Sequence, residues 1–151
     1  MVQVHNTWRR AARRSSVVIV VALALAACAP RERAMPTIRT YSESFAFRIT
    51  SDPMPPRARE TILYKIVVLD KETGQPVEGG EGRIFANNKE GTSTWDSFQW
   101  GREVGTYYAR LRFVTAEQWA VGIEFRRDSL PTTRIERATD YQQEVGTAVE
   151  P

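Results

Sequence analysis

Polar and apolar residues alternate along several stretches of the chain downstream of residue 37. In the first stretch, Tyr41, Phe45, Phe47 and Ile49 alternate with polar residues, which is typical of a β-strand with one buried face. The segment 51–56 that follows contains three prolines, which cannot donate hydrogen bonds to a β-ladder. We therefore expect one strand that ends at this proline-rich loop.

Two further strands are predicted in the middle of the chain. Residues 62–69 are apolar except for Lys65, as expected of a central strand that is covered on both faces. A turn over 70–77, which contains Gly74 and a proline, separates it from a strand at 82–87.

The segment 92–100 is rich in threonine and aromatic residues and predicts another strand. Its alternation places Phe98 and Trp100 on one face and Trp95 on the other. Outward aromatic side chains on a sheet are typical binding anchors, so we expect Trp95 and Tyr108 to form the contact surface for a partner. Packing at covered positions or at an edge strand is the alternative role for these residues.

Alternation is clearest over 106–126, where two runs with apolar faces are joined by a short polar loop. This pattern predicts a β-hairpin. Pairing of Phe113 with Val121 is one register in which the apolar faces coincide, and it places Arg110 opposite Glu124. The predicted core residues are Tyr107, Leu111, Phe113, Trp119, Val121, Ile123 and Phe125.

The pattern favours an all-β fold, since no segment of useful length after residue 28 has the period of a helix. Several short strands with turn signals between them predict a β-sandwich, which we place at 37–127. From 128 to 151 apolar residues are sparse, so we expect a largely disordered tail. A mere domain terminus and a partner-binding segment are both compatible with this tail.

Residues 1–27 have the organisation of an export signal. Four arginines precede an uninterrupted apolar segment at 17–27, and no acidic residue accompanies them. The apolar segment is shorter than the roughly 20 residues that a membrane-spanning helix needs. We therefore expect it to be cleaved rather than to remain as an anchor.

The apolar segment ends at the only cysteine of the sequence. Leu25-Ala26-Ala27-Cys28 resembles the lipobox of bacterial lipoproteins. The resemblance implies that the signal peptidase recognises Leu25, Ala26 and Ala27, and that Cys28 becomes the acylated mature N-terminus. Two or three acyl chains make a durable anchor, at about 0.8 kcal/mol per buried CH₂. An ordinary secretory signal with a chance cysteine is the alternative.

A lipoprotein of this kind would reside in the bacterial cell envelope and face the periplasm. Ala29 is not the aspartate that favours inner-membrane retention in some bacteria, so we expect the outer membrane. The segment 28–36 would then be a lipidated tether between the membrane and the domain. The expected partners are the membrane, through the lipid on Cys28, and an envelope protein.

The charge of the chain argues against a nucleic-acid partner. The whole sequence carries a net charge of +3, but loss of the four leader arginines from 21 basic residues leaves 17 against 18 acidic ones, or −1. No basic patch is then evident from the sequence. With Cys28 lipidated, the domain can form neither an internal disulfide nor a thiolate metal site.

Part of the sequence resembles immunoglobulin-like domains. The segment 103–109, which contains Gly105 and Tyr107, resembles their tyrosine corner, with Ala109 where an antibody domain carries a cysteine. The resemblance implies that the Tyr107 hydroxyl bonds a loop backbone and has a structural role. Over about 60–125 the chain is similar to the YtkA-like and FixH-like envelope domains, which are short membrane-anchored modules. Members of these families are often associated with metal transport or respiratory-complex assembly.

No catalytic or cofactor-binding set is evident in the sequence. The one histidine, His5, would be lost with the leader, which removes imidazole as a base and as a ligand. Met35 and Met54 alone are an incomplete ligand set for copper. Turn carboxylates such as Asp70 match no calcium-binding loop. We therefore predict a non-catalytic binding or assembly accessory module without a metal or cofactor, with envelope copper handling as the alternative.

Overall fold

The computed structural model describes residues 36–128 and 134–149, and every regular element within them is a β-strand. None of these residues belongs to a helix that is long and apolar enough to cross a bilayer. In chain order the strands are β1 (Ile38–Tyr41), β2 (Phe45–Asp52), β3 (Thr61–Asp70), β4 (Glu81–Asn87), β5 (Ser93–Ser97), β6 (Gln99–Trp100), β7 (Thr106–Arg112), β8 (Gln118–Arg126), β9 (Glu136–Arg137) and β10 (Tyr141–Glu144).

The strands form two antiparallel sheets that pack face to face. The first sheet has the order β1-β2-β3-β7-β6 and the second has the order β10-β8-β4-β5, with β9 paired to the last part of β8. With β1 set aside, these are the orders A-B-E-D and G-F-C-C′ of an immunoglobulin-like domain. The predicted all-β, immunoglobulin-like sandwich is confirmed.

The core lies between the two sheets and is rich in aromatic rings. Phe113 and Trp119 meet edge to face at 5.2 Å, and Phe45 and Tyr107 lie 5.0 and 5.5 Å from Phe125. All the core residues predicted from the sequence are at most 3% exposed. Burial of each large side chain contributes about 1.5–3 kcal/mol, so this core supplies the main stabilisation of the fold.

The predicted hairpin over 106–126 is wrong. Its two strands belong to different sheets, since β7 pairs with β3 and β6 whereas β8 pairs with β4, β9 and β10. Phe113 therefore packs beside Trp119 in the core and does not pair with Val121. Alternation identifies the buried face of a strand but not its neighbours. Two strands in opposite sheets that face each other across a core show the same alternation as two paired strands in one sheet.

Arg110 and Glu124 consequently do not lie opposite each other, and each has a different partner. The backbone N–H of Arg110 donates to Oδ2 of Asp96 at 2.7 Å, which links β7 to the edge strand β5. Oε2 of Glu124 accepts from Nε of Arg83 at 2.8 Å, directly across from it on β4.

Two stretches that the alternation predicts as single strands are each divided in two. The stretch 92–100 forms β5 and β6 in different sheets, and the chain crosses between them at the buried Phe98. The first stretch forms the pair β1 and β2, whose turn is held by Ser42 accepting from the Phe45 N–H at 3.1 Å. Tyr41 then points outward and is 50% exposed.

The predicted disordered tail is wrong for most of its length. β10 extends the second sheet beside β8, and Gln143 and Val145 are buried at 5% and 2% exposure. The backbone of Gly146 exchanges hydrogen bonds with Pro56 and Ala58, so the domain extends beyond the predicted boundary at 127. A short edge strand is held by ladder hydrogen bonds and needs few apolar side chains, which explains the weak pattern.

Candidate binding surfaces

Several residues with predicted roles lie outside the described part of the chain. These are the residues of the proposed lipidation signal and one of the two considered copper ligands: Leu25, Ala26, Ala27, Cys28 and Met35. Lipidation of Cys28 accordingly stays a prediction from the sequence.

Tyr107 joins the two sheets through its hydroxyl group. The hydroxyl donates to the carbonyl of Val77 at 3.1 Å and accepts from the N–H of Gly80 at 3.2 Å. Both partners belong to the connection that carries the chain from β3 in the first sheet to β4 in the second. Burial raises the pKa of Tyr107, so the phenol stays protonated and able to donate. This is the loop-backbone bond that the resemblance implied.

The position of Tyr107 nevertheless differs from that of an immunoglobulin tyrosine corner. It lies on β7, which occupies the E position, whereas the tyrosine corner belongs to the F strand, here β8. Gly105 adopts a φ of 69°, and a Cβ at this position would approach Pro76 to 2.6 Å. Spacing along the sequence identified the bond but could not establish which strand carries it.

The outer face of the second sheet carries an exposed aromatic surface. Trp95 on β5 is 62% exposed and lies directly opposite Phe85 on β4. Phe85 covers Gly122 on β8, where a Cβ would come within 2.4 Å of its ring. The guanidinium groups of Arg137 and Arg83 lie 4.8 and 5.8 Å from the centre of the Phe85 ring. We refer to this outer face around Trp95 and Phe85 as the aromatic face.

The charges beside the aromatic face are neutralised in pairs. Two of the pairs join β4 and β8 at directly opposed positions, where opposite charges contribute about 0.2–1 kcal/mol. The pairs are Arg83–Glu124, Arg126–Glu81 and Arg137–Asp140. The aromatic rings are thus surrounded by charges that already have protein partners.

A cleft of about 620 Å³ adjoins the aromatic face where the chain crosses between the sheets. Trp100 and Ile135 line this cleft and are 68% and 56% exposed. Ser97, which also lines the cleft, lies two residues from Trp95 on the same side of β5. The cleft and the aromatic face therefore form one continuous surface with exposed apolar groups at both ends.

Trp100 and Ile135 were not evident as surface residues from the sequence. Alternation places Trp100 on the same face as the buried Phe98, and its register opposite Tyr107 agrees with that placement. The side chain is exposed because β6 has two residues and lies at the edge of the first sheet. The only feature of the sequence that indicates a short strand here is Gly101, which ends the aromatic stretch directly after Trp100.

Tyr108, the second residue of the predicted contact surface, lies on the other side of the sandwich. It is half-buried on the outer face of the first sheet, opposite Lys65 on β3 and Gln99 on β6. Trp95 and Tyr108 therefore do not lie on one surface, because the chain changes sheets at Phe98 between them. Contact of either residue with a partner stays a prediction.

The groups considered for calcium and copper make internal hydrogen bonds. Oδ1 of Asp70 accepts from the backbone N–H and the hydroxyl of Thr73, and Oδ2 accepts from Arg127. These bonds, above all that from the Thr73 N–H, hold the pKa of Asp70 below its ordinary value. The sulfur of Met54 accepts from Oγ of Ser51 at 3.2 Å. Within 36–128 and 134–149, no three His, Cys, Asp or Glu side chains are grouped to hold a metal ion.

Comparison of the chain with protein-family models, with curated proteins and with solved structures finds no match in any of the three. The likeness to bacterial lipoproteins and to the YtkA-like and FixH-like domains therefore stays a prediction from the quoted residues.

Proposed function

We propose that this protein is a non-catalytic, lipid-anchored accessory module of the bacterial cell envelope that binds an envelope protein through its aromatic face. The observation that carries the proposal is the exposure of Trp95 and Trp100, at 62% and 68%, on either side of Ser97, which lines the cleft with Trp100 and lies on the same side of β5 as Trp95. Large exposed aromatic side chains are costly in water and are enriched among the residues that dominate binding energies.

The size of this surface suits a modest protein interface. Each tryptophan can bury about 150–250 Å² on association, and a standard interface buries about 800 Å² on each partner. The three surrounding ion pairs can remain intact at the rim of such an interface. They would then add solubility and orientation rather than much affinity.

Lipidation at Cys28 supports an accessory role because it would confine the domain near its partner. Attachment to the same membrane raises the effective concentration of two proteins, so a weak contact can be sufficient. The sandwich would serve as a rigid support for the aromatic face.

Site-specific photo-crosslinking in cells tests this proposal. A crosslinking residue at Ser97, beside both tryptophans, should capture one specific envelope protein, and the combined Trp95→Ala and Trp100→Ala change should lower the yield at least tenfold. The matched control is a crosslinking residue at Thr50 on the outer face of the first sheet, combined with Tyr41→Ala. Equal capture at both positions, or capture that is insensitive to the tryptophans, would contradict the assignment of the partner to the aromatic face.

The lipid anchor is tested separately with Cys28→Ala. The proposal requires that this variant lose its acyl label and leave the membrane fraction. Normal processing together with retained membrane association would show that the anchor assignment is wrong.

A further inference from the structure

The outer face of the first sheet gathers arginines from strands that are distant in sequence. Arg39 on β1 lies directly opposite Arg48 on β2, and Arg110 and Arg112 lie on β7 two strands away from β2. All four side chains are exposed. Their neighbours along each strand point inward, toward the other sheet. We refer to this surface as the arginine face.

Among the described residues, the four side chains differ from the arginines of the aromatic face in having no carboxylate partner. Within residues 36–128 and 134–149, none of them has a carboxylate at ion-pair distance. Lys65, at the centre of the same face, binds Glu103 of a neighbouring loop at 3.1 Å. Asp52 at the end of β2 is the one acidic residue among the described strand positions that point outward here.

The register makes this arrangement unfavourable for the isolated domain. Like charges at directly opposed positions, as in Arg39 and Arg48, destabilise a sheet. From the usual spacings within and between strands, Arg39 and Arg112 lie about 25 Å apart along the diagonal of the arginine face, which is about 14 Å wide across its four strands. A positive surface of this size is complementary to an extended anionic surface outside the protein.

Apolar groups lie among the arginines. Leu63, Val67 and Leu69 of β3 are partly exposed on this face, and Tyr41, at 50% exposure, and Tyr108 lie on either side of them. Tyrosine and arginine place a polar tip in water and an apolar body against a nonpolar layer, a combination suited to a lipid–water interface.

We propose that the arginine face docks on the anionic headgroups of the bilayer that holds the lipid anchor. This inference rests on the anchor part of the proposed function, and it goes beyond the binding of a protein partner. Ile38 begins β1 ten residues after Cys28, a length of chain that spans at most about 36 Å. The first element held near the membrane is therefore an edge strand of the first sheet, and it carries Arg39 itself.

Electrostatic docking would act as a second membrane signal. Each arginine near an anionic leaflet strengthens binding about fivefold, which corresponds to about 1 kcal/mol. Docking would also orient the domain, because the aromatic face belongs to the other sheet and would be turned away from the bilayer toward soluble or integral partners.

Vesicle co-sedimentation of unlipidated residues 35–151 tests this docking without help from the anchor. These residues form one compact unit with its own core, so they are expected to fold alone. The unit should bind vesicles that contain about one third phosphatidylglycerol at low ionic strength, and binding should fall at least tenfold in about 0.5 M salt, where the Debye length is short. Neutral phosphatidylcholine vesicles should bind at least tenfold more weakly.

Two double variants with equal loss of charge separate the faces. Arg48→Gln with Arg110→Gln should weaken vesicle binding about 25-fold, the effect of two arginines at about fivefold each. Arg83→Gln with Arg126→Gln removes the same charge from beside the aromatic face and should leave binding within twofold. Circular dichroism and the unfolding midpoint verify that both variants are folded.

Several outcomes would overturn the proposal. They are absence of binding to anionic vesicles at low salt, equal weakening by both double variants, and binding to DNA or polyglutamate in place of vesicles. Because the measurement uses the unlipidated domain, it is independent of partner capture at the aromatic face and of acylation at Cys28. Failure of the docking can thus be distinguished from failure of the proposed function.

Discussion

The two outer faces of the sandwich differ in how their charges are arranged. On the aromatic face, the register between β4 and β8 brings Arg83 opposite Glu124, and the ring of Phe85 lies beneath guanidinium groups. On the arginine face, the register between β1 and β2 brings Arg39 opposite Arg48. On the aromatic face, opposite charges are paired with each other within the protein. On the arginine face, like charges lie opposite each other, an arrangement that favours an external anion as partner.

This difference shows that net charge is a poor guide to the surface of a small domain. Residues 28–151 have a net charge of −1, from which no basic patch was expected. Strand pairing nevertheless collects four arginines on one face, where none of them has a carboxylate at ion-pair distance among the described residues and Asp52 is the one outward acidic strand residue. The expectation of no basic patch is therefore wrong for the folded domain.

The largest expected effect is loss of the core that supports both faces. Trp119→Ala should lower the free energy of unfolding by about 3–5 kcal/mol, because Trp119 is fully buried against Phe113. Trp95→Ala, at an exposed position, should change it by no more than about 0.5 kcal/mol. Chemical denaturation measures both values. Similar losses for the two variants would mean that Trp95 is a core residue and not a surface group.

A smaller effect is expected where Tyr107 connects the sheets that carry the two faces. Tyr107→Phe leaves the Gly80 N–H and the Val77 carbonyl without their side-chain partner and should cost about 1–3 kcal/mol in unfolding free energy. Tyr41→Phe, at an exposed position, is the matched control and should be neutral. A neutral result for Tyr107→Phe would show that the connection between β3 and β4 is held by other contacts.

Acid should weaken the contact between β9 and the turn that joins β1 to β2. Oε2 of Glu136 accepts from Oγ of Ser42 at 2.7 Å and from the N–H of Ser44 at 2.8 Å. Burial raises the pKa of Glu136, but these hydrogen bonds outweigh it, so the pKa lies below its ordinary value. A carboxyl with a lowered pKa in the folded state stabilises the fold above its unfolded pKa, and this stability is lost as pH falls through the folded pKa.

Glu136→Gln should therefore lower the unfolding midpoint at pH 7, and the difference from the parent should shrink below about pH 4. Ser42→Ala removes one of the donors and should reproduce part of this pH dependence. Thermal unfolding between neutral and acidic pH measures both. A difference that stays constant with pH would exclude ionised Glu136 as the stabilising group.

The smallest and most discriminating test of the two faces uses single charge removals. Arg83→Gln breaks a pair with Glu124 and should destabilise the domain by a few tenths of a kcal/mol. Arg48→Gln relieves repulsion from Arg39 and should stabilise it by a similar amount. Denaturation at low salt should give effects of opposite sign that converge at high salt. Effects of the same sign would remove the electrostatic distinction between the faces.

Strand positions and core residues could be predicted from the sequence, because alternation reports burial directly. The strands β3 and β4, the end of β2 at the prolines and the burial of Trp119 and Phe125 all agree with the pattern. β10 was missed because a short edge strand is held by backbone hydrogen bonds, which leave little trace in hydrophobicity.

The candidate site was predictable in part. Trp95 is exposed, as expected of an outward aromatic residue, but Tyr108 belongs to the other face, and the contribution of Trp100 came from its place at a sheet edge. The crossing at Phe98 puts Trp95 and Tyr108 on different faces, and no local pattern distinguishes such a crossing from a continuous strand.

The amino-acid sequence by itself determined that the predicted core residues of 106–126 are buried, that the fold is all-β, and where a lipid anchor is expected. Only the tertiary structure decided which strands are neighbours, that β7 and β8 face each other across the core, and that Arg39, Arg48 and Arg110 share a face while Arg83 is paired. The physical reason is that burial depends on each residue's own chemistry, whereas strand pairing and charge pairing depend on contacts between segments that are remote in the chain.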